Sequence, residues 1–203
     1  MSLRFARFVL FLCHPLLLGL YFLLFKTITS SIIELDTKTI LYFYGVLIVG
    51  YLLLPIVIMC VLHRKGFFKS FTLQTKSDKI IAYIILEIFY YMSFVILASI
   101  INSPLIQLYL LIPPIIIFTL LVISFIYEIS TYALYVGSLL GFFVGFGYHF
   151  QQNYLFVILS LIFSSAWIFS ALLILRRNTP IQIYSGFISG MLLFIFLFFY
   201  LLH

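Results

Sequence analysis

The sequence predicts an all-helical integral membrane protein, a bundle of about seven transmembrane helices forming one polytopic domain over residues 1–203. Three observations predict it. Hydrophobic residues make up 66% of the chain and charged residues 8%, and with a mean hydropathy of +1.31 a domain of this length does not stay in water. The apolar residues gather into runs of about 20, the length a helix needs to cross the hydrocarbon. The alternating ten-residue segments of a membrane β-barrel are absent, and in lipid each helical span satisfies its own backbone.

The runs place spans near residues 8–25, 39–62, 80–100, 105–126, 131–148, 154–175 and 182–202. The first, within MSLRFARFVLFLCHPLLLGLYFLLF, begins like a signal peptide, but its apolar stretch is too long and it lacks an A-x-A cleavage site, so it is expected to remain as a helix. Polar residues 27–37 separate it from the second span, and the basic stretch from His63 to Lys79 separates the second from the third. Asn102-Ser103-Pro104 is a tight turn; Gln151-Gln152-Asn153 and the segment from Arg176 to Pro180 are short polar breaks.

Alternation of these spans puts Arg4, Arg7, Arg64, Lys65, Lys69, Lys76, Lys79, Arg176 and Arg177 on one side, against Lys26 and Lys38 with Glu34 and Asp36 on the other. The positive-inside rule then puts the N-terminus in the cytoplasm and the C-terminus outside. The net charge of +6 comes from only 11 Lys and Arg, too few and too scattered for the phosphate contacts of a nucleic-acid binder, so nucleic acid is excluded as a partner.

Gly137, Gly141 and Gly145 recur every four residues in the fifth span, and Gly186 and Gly190 do so in the seventh. Such stripes let two helix backbones approach closely, inside one chain or between two copies. Pro113-Pro114 deletes backbone donors in the middle of the fourth span and predicts a bend. Cys13 and Cys60 lie in apolar runs without metal or disulfide spacing and read as packing residues. The histidines at 14, 63, 149 and 203 share no helix face and only five carboxylates exist, so no metal or other cofactor is implied. Ionisable groups at membrane depth are Glu87, a candidate proton carrier or ion-pair partner, and His14, placed to serve a carbonyl freed by Pro15. His149 falls at a helix end.

Several segments in order, CHPLLLGLYFLLF, YLLLPIVIM, TKSDKIIAYI, EISTYALYVGSLLG and RRNTPIQIYSGFISG, resemble a bacterial branch of the type-2 phosphatidic acid phosphatase and haloperoxidase superfamily. The resemblance covers nearly the whole chain. It implies that family's six-helix core with one extra helix, in a bacterial inner membrane. It also implies a metal-free chemistry in which a histidine attacks phosphorus, a second histidine protonates the leaving oxygen and cations hold the phosphoryl oxygens.

The catalytic residues of that pattern are replaced. Ser-Arg, His and Asp of the nucleophile motif correspond to Ala171, Leu172, Asn178 and Gln182, and asparagine does not form a phosphorylated intermediate. Where the second motif ends in histidine this chain has Tyr132, after Ile129-Ser130-Thr131, and a phenol near pKa 10 is a poor acid-base catalyst at neutral pH. Of the first motif, Lys76 and Lys79 remain, with Ala82 at the proline position. The resemblance thus implies a catalytically inactive relative whose Lys76, Lys79, Tyr132, Arg176, Arg177, Asn178 and Gln182 form an anion site on the cytoplasmic face. Its expected partners are membrane lipids, an anionic phospholipid or polyprenyl phosphate, or another membrane protein. Two alternatives stand beside it: an active phosphatase using His14 or His63 as a displaced nucleophile, and a small transporter or channel component built on Glu87 and the Pro113-Pro114 bend.

Overall fold

The computed structural model describes residues 2–14, 17, 36–66 and 75–201. Among these residues all regular structure is helical: α1 (Leu3–Leu12), α2 (Thr37–Leu47), a π-helical segment (Ile48–Leu53), α3 (Leu54–Arg64), α4 (Lys76–Ala98), α5 (Pro104–Ile126), α6 (Thr131–His149), α7 (Leu155–Ile174) and α8 (Pro180–Leu201). Six helices are long and apolar enough to cross a membrane, at Thr37–Arg64, Lys76–Ala98, Ile106–Ile126, Thr131–His149, Leu155–Ile174 and Pro180–Tyr200. The chain is therefore a multi-pass helical membrane protein.

These six match the second to seventh expected spans, with ends set by caps that hydropathy does not register. Thr75 caps α4 through the Asp78 amide, 3.1 Å, so that helix begins at Lys76 rather than near residue 80. Asp36 caps α2, its carboxylate accepting from the Thr39 amide and hydroxyl, and these hydrogen bonds hold it below the usual carboxylate range.

The expected first span, 8–25, falls largely outside the described residues. Where it is described it differs from the expectation. The α1 helix stops at Leu12, Cys13 is its C-cap and His14 is not helical, because a residue before proline is pushed out of the α region. Phe5 packs edge-on against Trp167, ring centroids 5.3 Å apart, while His14 packs against Tyr132, which lies beside Arg177. Helix α1 thus runs in the same direction as α7. Arg4 and Arg7 are set back along α7 toward Trp167 instead of standing beside Arg176 and Arg177, as charge counting expects. Hydropathy counts apolar residues and is blind to the direction in which a short segment lies; burial of Ala6, Val9 and Leu10 on one face of α1 fixes it here.

Two compact units make up the chain, one of residues 1–15 and 127–203 and the other of residues 16–126. In the first, α6 is the central helix, mostly buried where α7 is mostly exposed. Helices α6 and α8 pack along their glycine stripes. A Cβ built at Gly137 would strike the Phe187 carbonyl, one at Gly141 the Met191 carbonyl, and one at Gly190 the Leu134 carbonyl and Ser138. The successive pairs 137/187, 141/191 and 145/198 advance together along both helices, so α6 and α8 are parallel. The stripes thus serve packing within the chain.

The second unit packs large side chains. Tyr51 in the π-helical segment and Tyr90 on α4 are both buried and stacked, centroids 4.3 Å apart. The π segment precedes Pro55, and its wider i→i+5 bonding, with the Leu54 amide on the Val49 carbonyl, carries the helix past a residue that has no N–H. Helix α5 runs through Pro113 and Pro114, and Pro114 leaves the Leu110 carbonyl without its helical donor. The Tyr51 hydroxyl fills that vacancy at 3.2 Å. Gln107 closes the α4–α5 turn by donating to the Ala98 and Ile101 carbonyls, 3.1 and 2.9 Å away.

Candidate functional site

The parallel packing of α6 and α8 sets the starts of both helices side by side. Ser130, the N-cap of α6, donates its amide to the Gln182 carbonyl in the first turn of α8, 3.0 Å, and accepts at its Oγ from the Ala133 amide, 3.5 Å. Two positive helix ends therefore share one end of the unit. The close approach at Gly186, where a Cβ would lie 3.0 Å from the Ser130 carbonyl, is what makes this possible.

Helix α7 ends at the same place. The Arg176 amide bonds the Leu173 carbonyl at 3.1 Å and the Arg177 amide bonds the Leu172 carbonyl at 3.0 Å, the paired bonds of a Schellman ending. Such an ending needs a left-handed residue, and Arg176 supplies it with φ of 49° where glycine is the usual occupant. The turn aims Arg177 back over the start of α6. Its guanidinium lies beside the Tyr132 hydroxyl, near enough for its charge to act on the phenol. On the other side of that phenol lies the His14 imidazole, edge to face with centroids 5.9 Å apart, and the Arg177 charge acts on it as well. His14 and Tyr132 are half-buried while Arg177 is exposed.

The remaining expected site residues have other occupations. Asn178 and Gln182 are bonded to one another, Nδ2 to Oε1 at 3.3 Å, and Gln182 forms a capping box with Thr179: its Oε1 accepts from the Thr179 amide at 3.0 Å and its amide donates to the Thr179 hydroxyl at 3.3 Å. These two side chains build the start of α8. Lys76 and Lys79 belong to the other unit, where the exposed Lys76 ammonium donates to the Phe125 carbonyl at 2.9 Å and Lys79 is half-buried in the first turn of α4. The structure thus brings together Tyr132, Arg176, Arg177, Asn178 and Gln182, and adds His14.

His14, expected in the interior of a span beside a carbonyl freed by Pro15, stands instead past the end of α1. The signal for its place was Pro15 itself, since a helix that must stop before proline delivers His14 at a helix end. Glu87 is half-buried on α4 with its Oε2 lacking a hydrogen-bond partner, between Tyr83 and Tyr90 on the same helix face. Tyr51 had no sequence signal beyond being an aromatic hydroxyl in a chain that also carries a double proline.

Chemically, the cluster at the α6 and α8 starts offers guanidinium, phenol and imidazole N–H or O–H donors beside two positive helix ends. That is a donor set for an anion with several oxygens. No family model, curated protein or solved structure matches this chain.

Proposed function

We propose that this protein binds the phosphate headgroup of an anionic membrane lipid at His14, Tyr132 and Arg177, without hydrolysing it. The observation that carries the reading is the convergence of Arg177, Tyr132 and His14 on the paired starts of α6 and α8. Arg177 supplies a planar fork for phosphate oxygens, and Tyr132 and His14 supply O–H and N–H donors that orient it. The positive ends of two helices add to the field without adding mobile charge.

The absence of hydrolysis is supported by what stands at the phosphatase-like positions. Asn178 and Gln182, where the superfamily resembled has its nucleophile and acid, have their side chains engaged in capping α8. The face bearing Arg176 and Arg177 is, in this reading, the cytoplasmic face of a bacterial inner membrane, on the positive-inside argument.

Native mass spectrometry of the protein extracted with its lipids tests the binding. Retained anionic phospholipid is expected, with one molecule fewer in Arg177→Ala than in the unaltered protein at unchanged monodispersity; an equal number retained in the variant would sink the reading. In parallel, no phosphate is expected to be released from phosphatidic acid, phosphatidylglycerol phosphate or undecaprenyl diphosphate. Release that disappears in Asn178→Ala would overturn the inactive assignment.

A second reading draws on the place of His14. With its ring against Tyr132 and under the Arg177 charge, it is the histidine placed to act as a displaced nucleophile. Phosphate release abolished by His14→Gln, but untouched by Asn178→Ala, would select it.

A further inference from the structure

In the unit of residues 16–126, a groove of ≈ 650 Å³ runs between the α2–α3 helix and α4. That is within the range of about 300–1,000 Å³ typical of ligand sites. On the first helix its lining includes Lys38, Gly45, Val49 and Leu54, and on α4 Phe89, Met92 and Ser93. The lining runs from Lys38 to Leu54 on the first helix, about 24 Å at 1.5 Å per residue, and from Phe89 to Ile96 on α4, about 10 Å, so the two-walled groove spans about a third of a bilayer core of about 30 Å and one wall continues to Lys38.

Three features make this a furrow for a chain. Its floor includes Gly45, where an added Cβ would meet nothing within 4 Å. Its walls are apolar, because the Ser93 hydroxyl is turned away onto the Phe89 carbonyl at 2.7 Å. Among the described residues its one charged lining residue is Lys38, exposed in the first turn of α2. The Asp36 carboxylate nearby is engaged in capping the same helix on Thr39. In a bilayer an apolar furrow fills with hydrocarbon, and a cation at its end selects a molecule whose chain enters the furrow while its headgroup is negative.

We infer that the groove between α2–α3 and α4 holds one acyl chain of an anionic phospholipid, with the phosphate of that lipid at Lys38. The groove shares no lining residue with the Arg177 cluster, so the two are tested by different variants. The probe is phosphatidylglycerol bearing a photoreactive acyl chain, in nanodiscs of phosphatidylglycerol and phosphatidylcholine carrying the full chain. Labelling is expected to concentrate on the α4 peptide containing Phe89 and Met92 and to fall at least tenfold in Gly45→Phe, which fills open space. Lys38→Gln is expected to remove the preference over a photoreactive phosphatidylcholine, leaving labelling by the two lipids equal. Arg177→Ala is expected to leave the α4 label unchanged. Labelling spread evenly over the exposed faces of α7 and α8, or undiminished in Gly45→Phe, would overturn the inference. So would phosphatidylcholine labelling α4 as well as phosphatidylglycerol does in the unaltered protein. If Gly45→Phe fails to give monodisperse protein, Gly45→Leu is read by the same label and the same outcomes decide.

Discussion

Two contacts, one in each unit of this protein, hold helices together in lipid by opposite means. Where α6 meets α8, side chains are removed: glycines at 137, 141 and 190 bring one backbone against the carbonyls of the other. In the other unit side chains are large, and a tyrosine hydroxyl satisfies a carbonyl that a proline has orphaned. The difference teaches what lipid withholds. Lipid chains are as apolar as leucine, so burying leucine against leucine gains little, and association comes from close backbone packing or from polar groups with no other partner. The α6–α8 contact uses the former and the Tyr51–Leu110 bond the latter, although the second unit also has a close approach at Gly50, where a Cβ would strike Ser93.

Gly141→Leu is the most damaging way to break that comparison. The built Cβ meets the Met191 carbonyl, which is helix backbone and has no rotamer to retreat into. We expect a loss of about 3 kcal/mol, at the upper end of overpacking costs, seen as early unfolding followed by the fluorescence of Trp167, the single tryptophan, which lies in this unit. The same substitution at Gly45 meets open space and is expected to leave the transition where it was. Equal destabilisation at both positions would show that glycine content, and not the α6–α8 contact, is what matters.

Tyr51→Phe probes the other mode. It leaves the Leu110 carbonyl buried without a donor, at a cost of about 2 kcal/mol within the usual range of about 1–3 for an unsatisfied group. The decisive measurement is a double-mutant cycle with Pro114→Ala, which returns an N–H to that carbonyl. In the Pro114→Ala background, Tyr51→Phe is expected to cost less than about 0.5 kcal/mol. A full cost in both backgrounds would mean that the tyrosine acts through its stacking on Tyr90.

These contrasts also mark what the sequence could reveal. Six of the spans were legible because about 20 apolar residues between polar breaks leave a helix no alternative in a bilayer. The α6–α8 contact was half legible: the glycine spacing announced a close approach, but only the structure pairs Gly141 with Met191 inside one chain. The direction of α1 was not legible, since it depends on which face of a ten-residue helix finds α7. At the site, Arg177 and Tyr132 could be grouped from loop alternation. The employment of Asn178 and Gln182 as caps was written in Thr179-Pro180-Ile181-Gln182, a capping pattern with proline at the first helical position. That signal is easily passed over when the same residues are being compared with a catalytic motif.

The smallest effect concerns the strain beside the site. Arg176 occupies a left-handed conformation at φ 49°, which costs a residue with a side chain about 1–2 kcal/mol. Arg176→Gly removes that cost but also removes a cation near the end of α7, where an exposed charge is worth about 0.3–1 kcal/mol against the helix dipole. Arg177 still serves that dipole, so the first effect wins and the variant is expected to be more stable by about 1 kcal/mol in the same fluorescence assay. Arg176→Ala gains nothing by the same argument, because alanine meets the same backbone clash. Anionic-lipid retention tells the rest. If Arg176→Gly is more stable and keeps its lipid, Arg177 alone supplies the fork; if it is more stable and sheds it, Arg176 belongs to the phosphate site and the strain is held there for binding.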